Sequence, residues 1–335
     1  MAAKQLPTQG SLATIPVTII GGYLGAGKTT LVNQLLRQAQ GERIAVLVND
    51  FGDINIDADL IEARDDNLIS LAGGCVCCSF GSDLLDALTQ VAALQPRPQR
   101  VLIETSGVAL PRPVARSLAL IRGFHTDALV VVADARALRE RAADRYVGET
   151  VLGQLRDADL LLIGKTDLVD AADTARLRAW LAEVAPQAVS IQMEHGQVGR
   201  ALLFGDLSGR AIRAQAPRPE SSSGKLRRPI SAPHAGATPF ASVSLEFSRP
   251  VELATLARTL TDPALGIARA KGVVLAPDRS RWLLQQVGRR LQTEPADQGG
   301  IDDPGRLVVI GARAEFDQSG LLSQLFALGA RRLER

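Results

Sequence analysis

The stretch GYLGAGKT, residues 22–29, decides the fold of this chain. It follows a β-branched apolar run at residues 17–20 and precedes a segment with apolar residues at three- and four-residue spacing, which is typical of a strand followed by a helix. The stretch matches G-x-x-x-x-G-K-[ST], a strand-to-helix loop that binds phosphate. Its glycines let backbone N–H groups close around phosphate oxygens, and the helix N-terminus adds a positive dipole. The stretch therefore predicts a phosphate-binding loop in an α/β domain.

Two side chains of this loop are predicted to bind different parts of a magnesium–nucleotide complex. Lys28 supplies a positive charge to the β- and γ-phosphates, and Thr29 holds Mg²⁺ through its hydroxyl. The full set of predicted contacts at this end of the nucleotide is Gly22, Gly25, Ala26, Gly27, Lys28, Thr29 and Thr30.

The pattern around the loop predicts two domains. Between residues 14 and 205, short apolar runs alternate with helical patterns, which predicts a mostly parallel sheet covered by helices. Residues 240–335 contain alternating strands and a final helical segment, as expected of a small α+β domain. Residues 1–13 are predicted to be a flexible tail, and residues 206–239 a flexible basic linker or, alternatively, a docking segment for an acidic partner.

Composition argues against several classes of partner. The 335 residues include 38 Lys and Arg against 36 Asp and Glu, a formal net charge of +2, which gives no overall attraction to nucleic acid or to a membrane surface. Aromatic residues make up only 4% of the chain, too few for a base-stacking platform. The N-terminal apolar run is far shorter than the roughly 20 residues of a membrane span. We therefore expect a cytoplasmic protein with neither nucleic-acid nor membrane partners.

Carboxylates follow two of the predicted strands. Asp50 and Asp53 come after one apolar run, and Glu104 follows another. The carboxyl ends of parallel strands meet at the crevice that holds the phosphate loop, so these residues are predicted to bind Mg²⁺ directly or through water, with Glu104 and Asp50 taking part in catalysis. Gly107 completes E-x-x-G and could face the γ-phosphate with its backbone. Asp134 is a weaker candidate, since a turn or capping role explains it equally well.

The stretch GKTD, residues 164–167, follows a later apolar run. It resembles the N-K-x-D motif with which GTPases bind guanine, in which the aspartate accepts hydrogen bonds from N1 and N2. Lys165 and Asp167 are retained, whereas Gly164 replaces the asparagine. One such hydrogen bond contributes about 0.5–1.5 kcal/mol, so its loss is expected to weaken affinity rather than reverse the choice of base. GTP is the predicted nucleotide.

All three cysteines fall in one short segment, as Cys75, Cys77 and Cys78. An odd and crowded set cannot be a disulfide framework. Thiolates suit soft ions such as Zn²⁺ and Cu⁺, and a structural zinc site normally has four protein ligands, so three thiols favour an open, exchangeable metal site. Buried packing cysteines and a redox or nucleophilic role remain alternatives.

Together these motifs resemble those of the CobW-type GTPases. The matching stretches include NDFG, GCVCC, ETSG, KTD and, in the C-terminal part, RAKG at residues 269–272. The chain reads VNDFG where the family often reads E-N-E-F-G, which removes one carboxylate. The resemblance implies a metallochaperone that binds metal, most commonly Zn²⁺, at C-x-C-C and couples GTP hydrolysis to its transfer into a client metalloprotein.

The sequence thus predicts a GTPase with GTP, Mg²⁺ and Zn²⁺ as its ligands, where Co²⁺ or another divalent ion could replace zinc. Hydrolysis is expected to be slow without a partner because the sequence reveals no convincing arginine finger. The alternatives are cobalt or iron delivery in cobalamin synthesis or nitrile hydratase activation, a P-loop small-molecule kinase, and a non-enzymatic metal-binding scaffold. Either a monomer or a homodimer is compatible with the sequence.

Overall fold

The structure, a computed structural model, describes residues 14–39, 41–48, 68–72, 82–193, 197–205, 240–296, 304–313 and 315–333. It divides into two compact units, Met1–Pro186 and Gln187–Arg335. The predicted tail (1–13) and linker (206–239) lie outside the described residues. No helix in the described ranges is both long and apolar enough to cross a membrane.

Strands and helices alternate through the first unit. In chain order they are β1 (Ile15–Gly21), α1 (Lys28–Arg37), β2 (Ile44–Val48), β3 (Leu68–Ala72), α2 (Ser82–Ala93), β4 (Arg100–Glu104), α3 (Pro111–Leu118), β5 (Phe124–Asp134), α4 (Leu138–Ala143), α5 (Gly148–Asp157), β6 (Leu160–Gly164), a 3₁₀ turn at Thr166–Leu168 and α6 (Ala171–Val184).

The first sheet has seven strands in the order β3-β2-β4-β1-β5-β6-β7, where β7 is Val189–Gln192. The pairs β2–β3, β2–β4, β1–β4, β1–β5 and β5–β6 are all parallel. Every residue of β2, β4 and β6 is buried, so both faces of the sheet are covered. This confirms the predicted α/β architecture and explains why the strands read as continuous apolar runs.

The second unit is built on an antiparallel sheet. After α7 (Arg200–Phe204) the elements are β8 (Phe240–Phe247), α8 (Leu253–Thr261), a 3₁₀ turn at Pro263–Leu265, β9 (Ile267–Leu275), β10 (Arg281–Val287), β11 (Arg290–Pro295), β12 (Gly305–Ala312), α9 (Gln318–Ala327) and β13 (Ala330–Arg332). The strand order is β11-β10-β9-β12-β8-β13. Leu256 and Leu260 of α8 and Leu321 and Leu325 of α9 belong to its hydrophobic core, which confirms the predicted small α+β domain.

The arginine and last glycine of the RAKG stretch have structural roles in this unit. Arg269 is fully buried, and its Nη1 donates hydrogen bonds to the carbonyl oxygens of Leu203 (2.9 Å) and Leu202 (3.3 Å) at the C-terminal end of α7. A cation there satisfies carbonyls that a helix leaves without intrahelical partners. A Cβ added to Gly272 would lie 2.1 Å from the Arg306 carbonyl oxygen, so this glycine allows β9 and β12 to pack closely. The Arg269 contacts tie α7 to β9.

Candidate nucleotide and metal site

The phosphate loop connects β1 to α1 in a conformation that requires glycine. Gly22 has φ +136°, and a Cβ there would lie 2.3 Å from the Val132 carbonyl oxygen. Gly25 (φ +72°) and Gly27 (φ +105°) also lie in the left-handed region, but a Cβ at either would meet nothing within 4 Å. L-residues with side chains are strained at such angles. The loop therefore holds a cradle with open space over its last two glycines, as a bound phosphate needs.

The first residues of α1 lead directly to a strand-end carboxylate. Lys28 begins the helix and is 8% exposed. The Thr29 hydroxyl donates a 2.9 Å hydrogen bond to Oε1 of Glu104, which is 1% exposed at the end of β4, beside Ile20 of β1. Thr30 is exposed. The structure thus brings together two of the predicted magnesium ligands, and their hard oxygen donors are of the type that Mg²⁺ prefers.

The E-x-x-G segment after β4 packs against the phosphate loop. A Cβ on Gly107 would lie 2.4 Å from Cδ2 and 2.8 Å from the backbone nitrogen of Leu24, so only glycine permits this approach. The side chain of Gln154, in α5, donates hydrogen bonds to the carbonyl oxygens of Gly107 (3.0 Å) and Ala109 (2.9 Å). Because Gln154 is only 1% exposed, these buried bonds anchor the segment to α5.

Lys165, in the GKTD stretch at the end of β6, contacts the phosphate loop from the side of β1 opposite to β4. Lys165 adopts a left-handed conformation with φ 58°, and its Nζ donates to the Gly25 carbonyl oxygen (3.0 Å) and to Oδ2 of Asp134 (2.8 Å). Asp167 is exposed within the following 3₁₀ turn. Gly164 ends β6, and its carbonyl oxygen accepts a bond from Ala135 N–H (3.0 Å).

Asp134 holds two cations at the end of β5. Its carboxylate accepts hydrogen bonds from the guanidinium of Arg136 (3.1 Å to Oδ2) and from Lys165. Burial raises the pKa of Asp134, but the bonds from Arg136 and Lys165 outweigh it and bring the pKa from 3.8 to about 2. The backbone N–H of Arg136 also bonds to Oδ1, which is the turn role considered from the sequence. The pairing with Lys165 was missed there, although the β5–β6 register places Asp134 opposite Gly164.

Arg141 is a second residue that the sequence did not identify. Its Nη1 donates a 2.9 Å hydrogen bond to the carbonyl oxygen of Leu24, and its guanidinium lies 4.9 Å from the centre of the Tyr23 ring. A guanidinium at that distance makes a cation–π contact. Arg141 lies in α4, seven residues beyond the end of β5, so its approach to the loop depends on the intervening turn, and no sequence pattern announces it.

The remaining predicted ligands lie outside the described residues: Asp50, Asp53, Cys75, Cys77 and Cys78. The described part of the chain contains no cluster of three or more His, Cys, Asp or Glu side chains able to hold a metal. The last residues of β2, β3 and β4 lie side by side, because Val48 pairs with both Ala72 and Glu104.

Comparison with known proteins covers almost the whole chain. Residues 16–192 match the protein family described as CobW/HypB/UreG, nucleotide-binding domain. Residues 240–328 match the family described as cobalamin synthesis protein cobW C-terminal domain. A zinc chaperone CobW from Pseudomonas aeruginosa is 32% identical over 97% of this chain and 94% of its own length. Another from Sinorhizobium sp is 30% identical (94% and 97%), and the zinc chaperone YjiA of Escherichia coli is 28% identical (86% and 91%).

Proposed function

The chain belongs to the CobW/HypB/UreG family, and on that premise we propose that it is a GTPase that binds Zn²⁺ and transfers it to a client metalloprotein in a GTP-dependent step. The proposal has two parts, GTP binding with hydrolysis and zinc binding with transfer. The main observation in support of the first part is the 2.9 Å hydrogen bond between Thr29 and Glu104. It joins the helix that follows the phosphate loop to the strand that leads into E-x-x-G. A P-loop GTPase needs this junction to hold a metal–triphosphate complex.

In this proposal, GTP binds to groups at the carboxyl ends of the parallel strands. Backbone N–H groups of residues 22–29 and the Lys28 ammonium bind the phosphates. Gly107 faces the γ-phosphate, while Lys165 and Asp167 bind guanine. Bound Mg²⁺ would neutralise charge on the β- and γ-phosphates. Thr29 and Glu104 would hold it directly or through water, with Asp50 and Asp53 as further ligands.

Zinc is the cargo and would be bound at Cys75, Cys77 and Cys78. Three thiolates leave a coordination position open to a client ligand. Cys75 follows the end of β3 by three residues, and three residues span at most about 11 Å. Since Ala72 and Glu104 both pair with Val48, β3 ends at the same end of the sheet as β4, where we propose that the nucleotide binds. The names of the similar proteins, zinc chaperones from three bacteria, support zinc as the ion.

The nucleotide half is tested with the purified full-length chain. GTP, GDP and ATP affinities are measured by calorimetry, and free phosphate is separated from any phosphorylated small molecule. We expect GTP to bind at least about tenfold more tightly than ATP and free phosphate to be the product. Lys28→Ala should abolish hydrolysis, and Lys271→Ala, in β9 of the second sheet, is the matched control. Equal affinity for GTP and ATP, or a phosphorylated acceptor, would contradict this half.

The zinc half is tested separately by competition with a chromogenic chelator. The variant with Ser at positions 75, 77 and 78 should lose zinc binding by at least about 100-fold while it retains GTP affinity. In the unaltered chain, GTP should change the rate at which zinc passes to the chelator. Unchanged zinc affinity in the triple variant would contradict the assignment of the cysteines and leave the GTPase assignment intact.

A further inference from the structure

Arg141 is held at the phosphate loop by its own short helix. Leu138, at the start of α4, is buried, and the backbone bonds of Ala137 N–H to Asp134 and of Arg141 N–H to Ala137 link the helix to the end of β5. From that base the guanidinium reaches the Leu24 carbonyl oxygen and the Tyr23 ring. Two different contacts therefore fix this cation on the residues that open the loop.

Leu24 is also the loop residue that meets E-x-x-G. Its backbone nitrogen and side chain pack against Gly107, while its carbonyl oxygen accepts the bond from Arg141. A P-loop GTPase brings the γ-phosphate between these two segments, since the loop cradles the phosphates and the glycine segment faces the last of them. The guanidinium is thus attached at the junction where the reacting phosphoryl group is expected.

The partners of Arg141 leave its charge uncompensated within the described residues. Arg136 and Lys165 share the carboxylate of Asp134. Arg141 forms no ion pair with any described residue, and its one side-chain hydrogen bond there is to the neutral carbonyl of Leu24. A guanidinium pairs with a phosphate through charge-assisted and often bidentate hydrogen bonds, which are stronger than a single bond to a neutral carbonyl. An incoming phosphate can therefore take the guanidinium from Leu24.

We propose that Arg141 is a catalytic residue that provides, within the same chain, the positive charge for GTP hydrolysis; this inference rests on the proposed GTPase function. In the reaction a water oxygen forms a bond to the γ-phosphorus, and the bond from that phosphorus to the β–γ bridging oxygen breaks. The electron pair leaves with GDP, and the proton of water passes to the released phosphate. Arg141 stabilises the negative charge on the γ-phosphoryl and bridging oxygens as the bond breaks.

The test compares Arg141→Ala and Arg141→Lys with a matched control, Arg139→Ala, in which an exposed arginine of the same helix is removed. Phosphate release is measured in single-turnover reactions, and affinities are measured for GDP, a non-hydrolysable GTP analogue and GDP with aluminium fluoride. We expect Arg141→Ala to slow hydrolysis about 10³-fold, the lower end for arginines of this kind. Affinity for GDP and the analogue should change by less than about threefold, and binding of the aluminium fluoride complex should be lost. Arg139→Ala should match the unaltered chain.

A merely structural role for Arg141 would give a different result. Loss of loop structure would weaken all three ligands together, and Arg141→Lys, which keeps the charge and a donor for Leu24, would then restore them all. Hydrolysis within about threefold of the unaltered rate in a folded Arg141→Ala variant overturns the inference alone. No phosphate release from the unaltered chain overturns the proposed GTPase function and this inference together.

Discussion

Glu104 and Asp134 are buried carboxylates at the carboxyl ends of the two strands that flank β1, yet they have different partners. Glu104 accepts a hydrogen bond from a neutral hydroxyl, that of Thr29. Asp134 accepts hydrogen bonds from two cations, Arg136 and Lys165. Equivalent positions in a parallel sheet therefore bring two acidic groups to one end of the sheet, where Asp134 anchors neighbouring cationic side chains and Glu104 is the carboxylate that we propose binds Mg²⁺.

The largest effect is expected from Glu104→Gln. The amide still accepts the bond from Thr29, so the fold should persist, but it removes the negative charge proposed to order Mg²⁺ and its water shell. Single-turnover hydrolysis at saturating GTP should fall by at least about 100-fold, and more Mg²⁺ should be needed for half-maximal rate.

Asp127→Asn is the matched control for Glu104→Gln. Asp127 is buried beside Arg100, with 3.1 Å between Oδ2 and Nη1, and Arg100 lies at the opposite end of the strand that carries Glu104. The control can lower stability but should leave the hydrolysis rate per folded molecule unchanged. An equal loss of rate in both variants would remove the functional distinction that we draw for Glu104.

Asp134→Asn should instead act mainly on stability. A carboxyl group whose pKa falls from 3.8 to about 2 on folding contributes about 2 kcal/mol at neutral pH by linkage. Because the folded-state pKa is lowered, this contribution is full above the unfolded value and is lost as pH falls from about 4 to 2. Urea unfolding of both proteins should give a gap that is constant at neutral pH and shrinks in acid.

Nucleotide binding completes the test of Asp134. Loss of the carboxylate should weaken GTP binding by less than about tenfold, because Lys165 keeps its bond to the Gly25 carbonyl oxygen. Asp159→Asn is the control, since this buried carboxylate directly before β6 accepts a hydrogen bond from the backbone N–H of Leu129 in β5. A loss of hydrolysis as large as that of Glu104→Gln would show that Asp134 also acts in catalysis.

The smallest effect is expected from Arg136→Gln. The Arg136 side chain is 48% exposed, and solvent-exposed ion pairs contribute at most about 1 kcal/mol. The free energy of unfolding should therefore fall by less than half as much as in Asp134→Asn, with GTP affinity unchanged. A larger loss would mean that Arg136, rather than Lys165, is the main partner of the carboxylate.

Local motifs predicted the parts of the fold and site that depend on neighbouring residues in sequence. The glycine-rich stretch predicted β1, the loop and α1, and apolar runs predicted a parallel sheet. Thr29 and Glu104 are 75 residues apart, but their proximity could be predicted. Thr29 lies at the start of the helix after the phosphate loop and Glu104 at the carboxyl end of a strand, and in a parallel sheet these positions lie at the same end. The same rule could have paired Asp134 with Lys165, since β5 and β6 are neighbours.

Other contacts could not be predicted because they depend on the geometry of turns. Arg141 reaches Leu24 only through the turn between β5 and α4. Arg269 donates hydrogen bonds to carbonyl oxygens of α7, more than 60 residues earlier. The RAKG stretch therefore indicated a family resemblance, but the sequence did not predict what its arginine contacts. The predicted metal role of the three cysteines, and those of Asp50 and Asp53, stay predictions because these residues lie outside the described part of the chain.

The most direct test of the account is the zinc dissociation constant of the full-length chain, measured by chelator competition with Mg²⁺ and either a non-hydrolysable GTP analogue or GDP. Coupling free energies between sites are typically 1–3 kcal/mol, or about 5- to 150-fold in affinity. The account predicts that the zinc dissociation constants in the two nucleotide states differ by a factor in that range. In the Glu104→Gln variant, this difference should disappear. Equal zinc affinity in both states of the unaltered chain would contradict GTP-dependent zinc transfer.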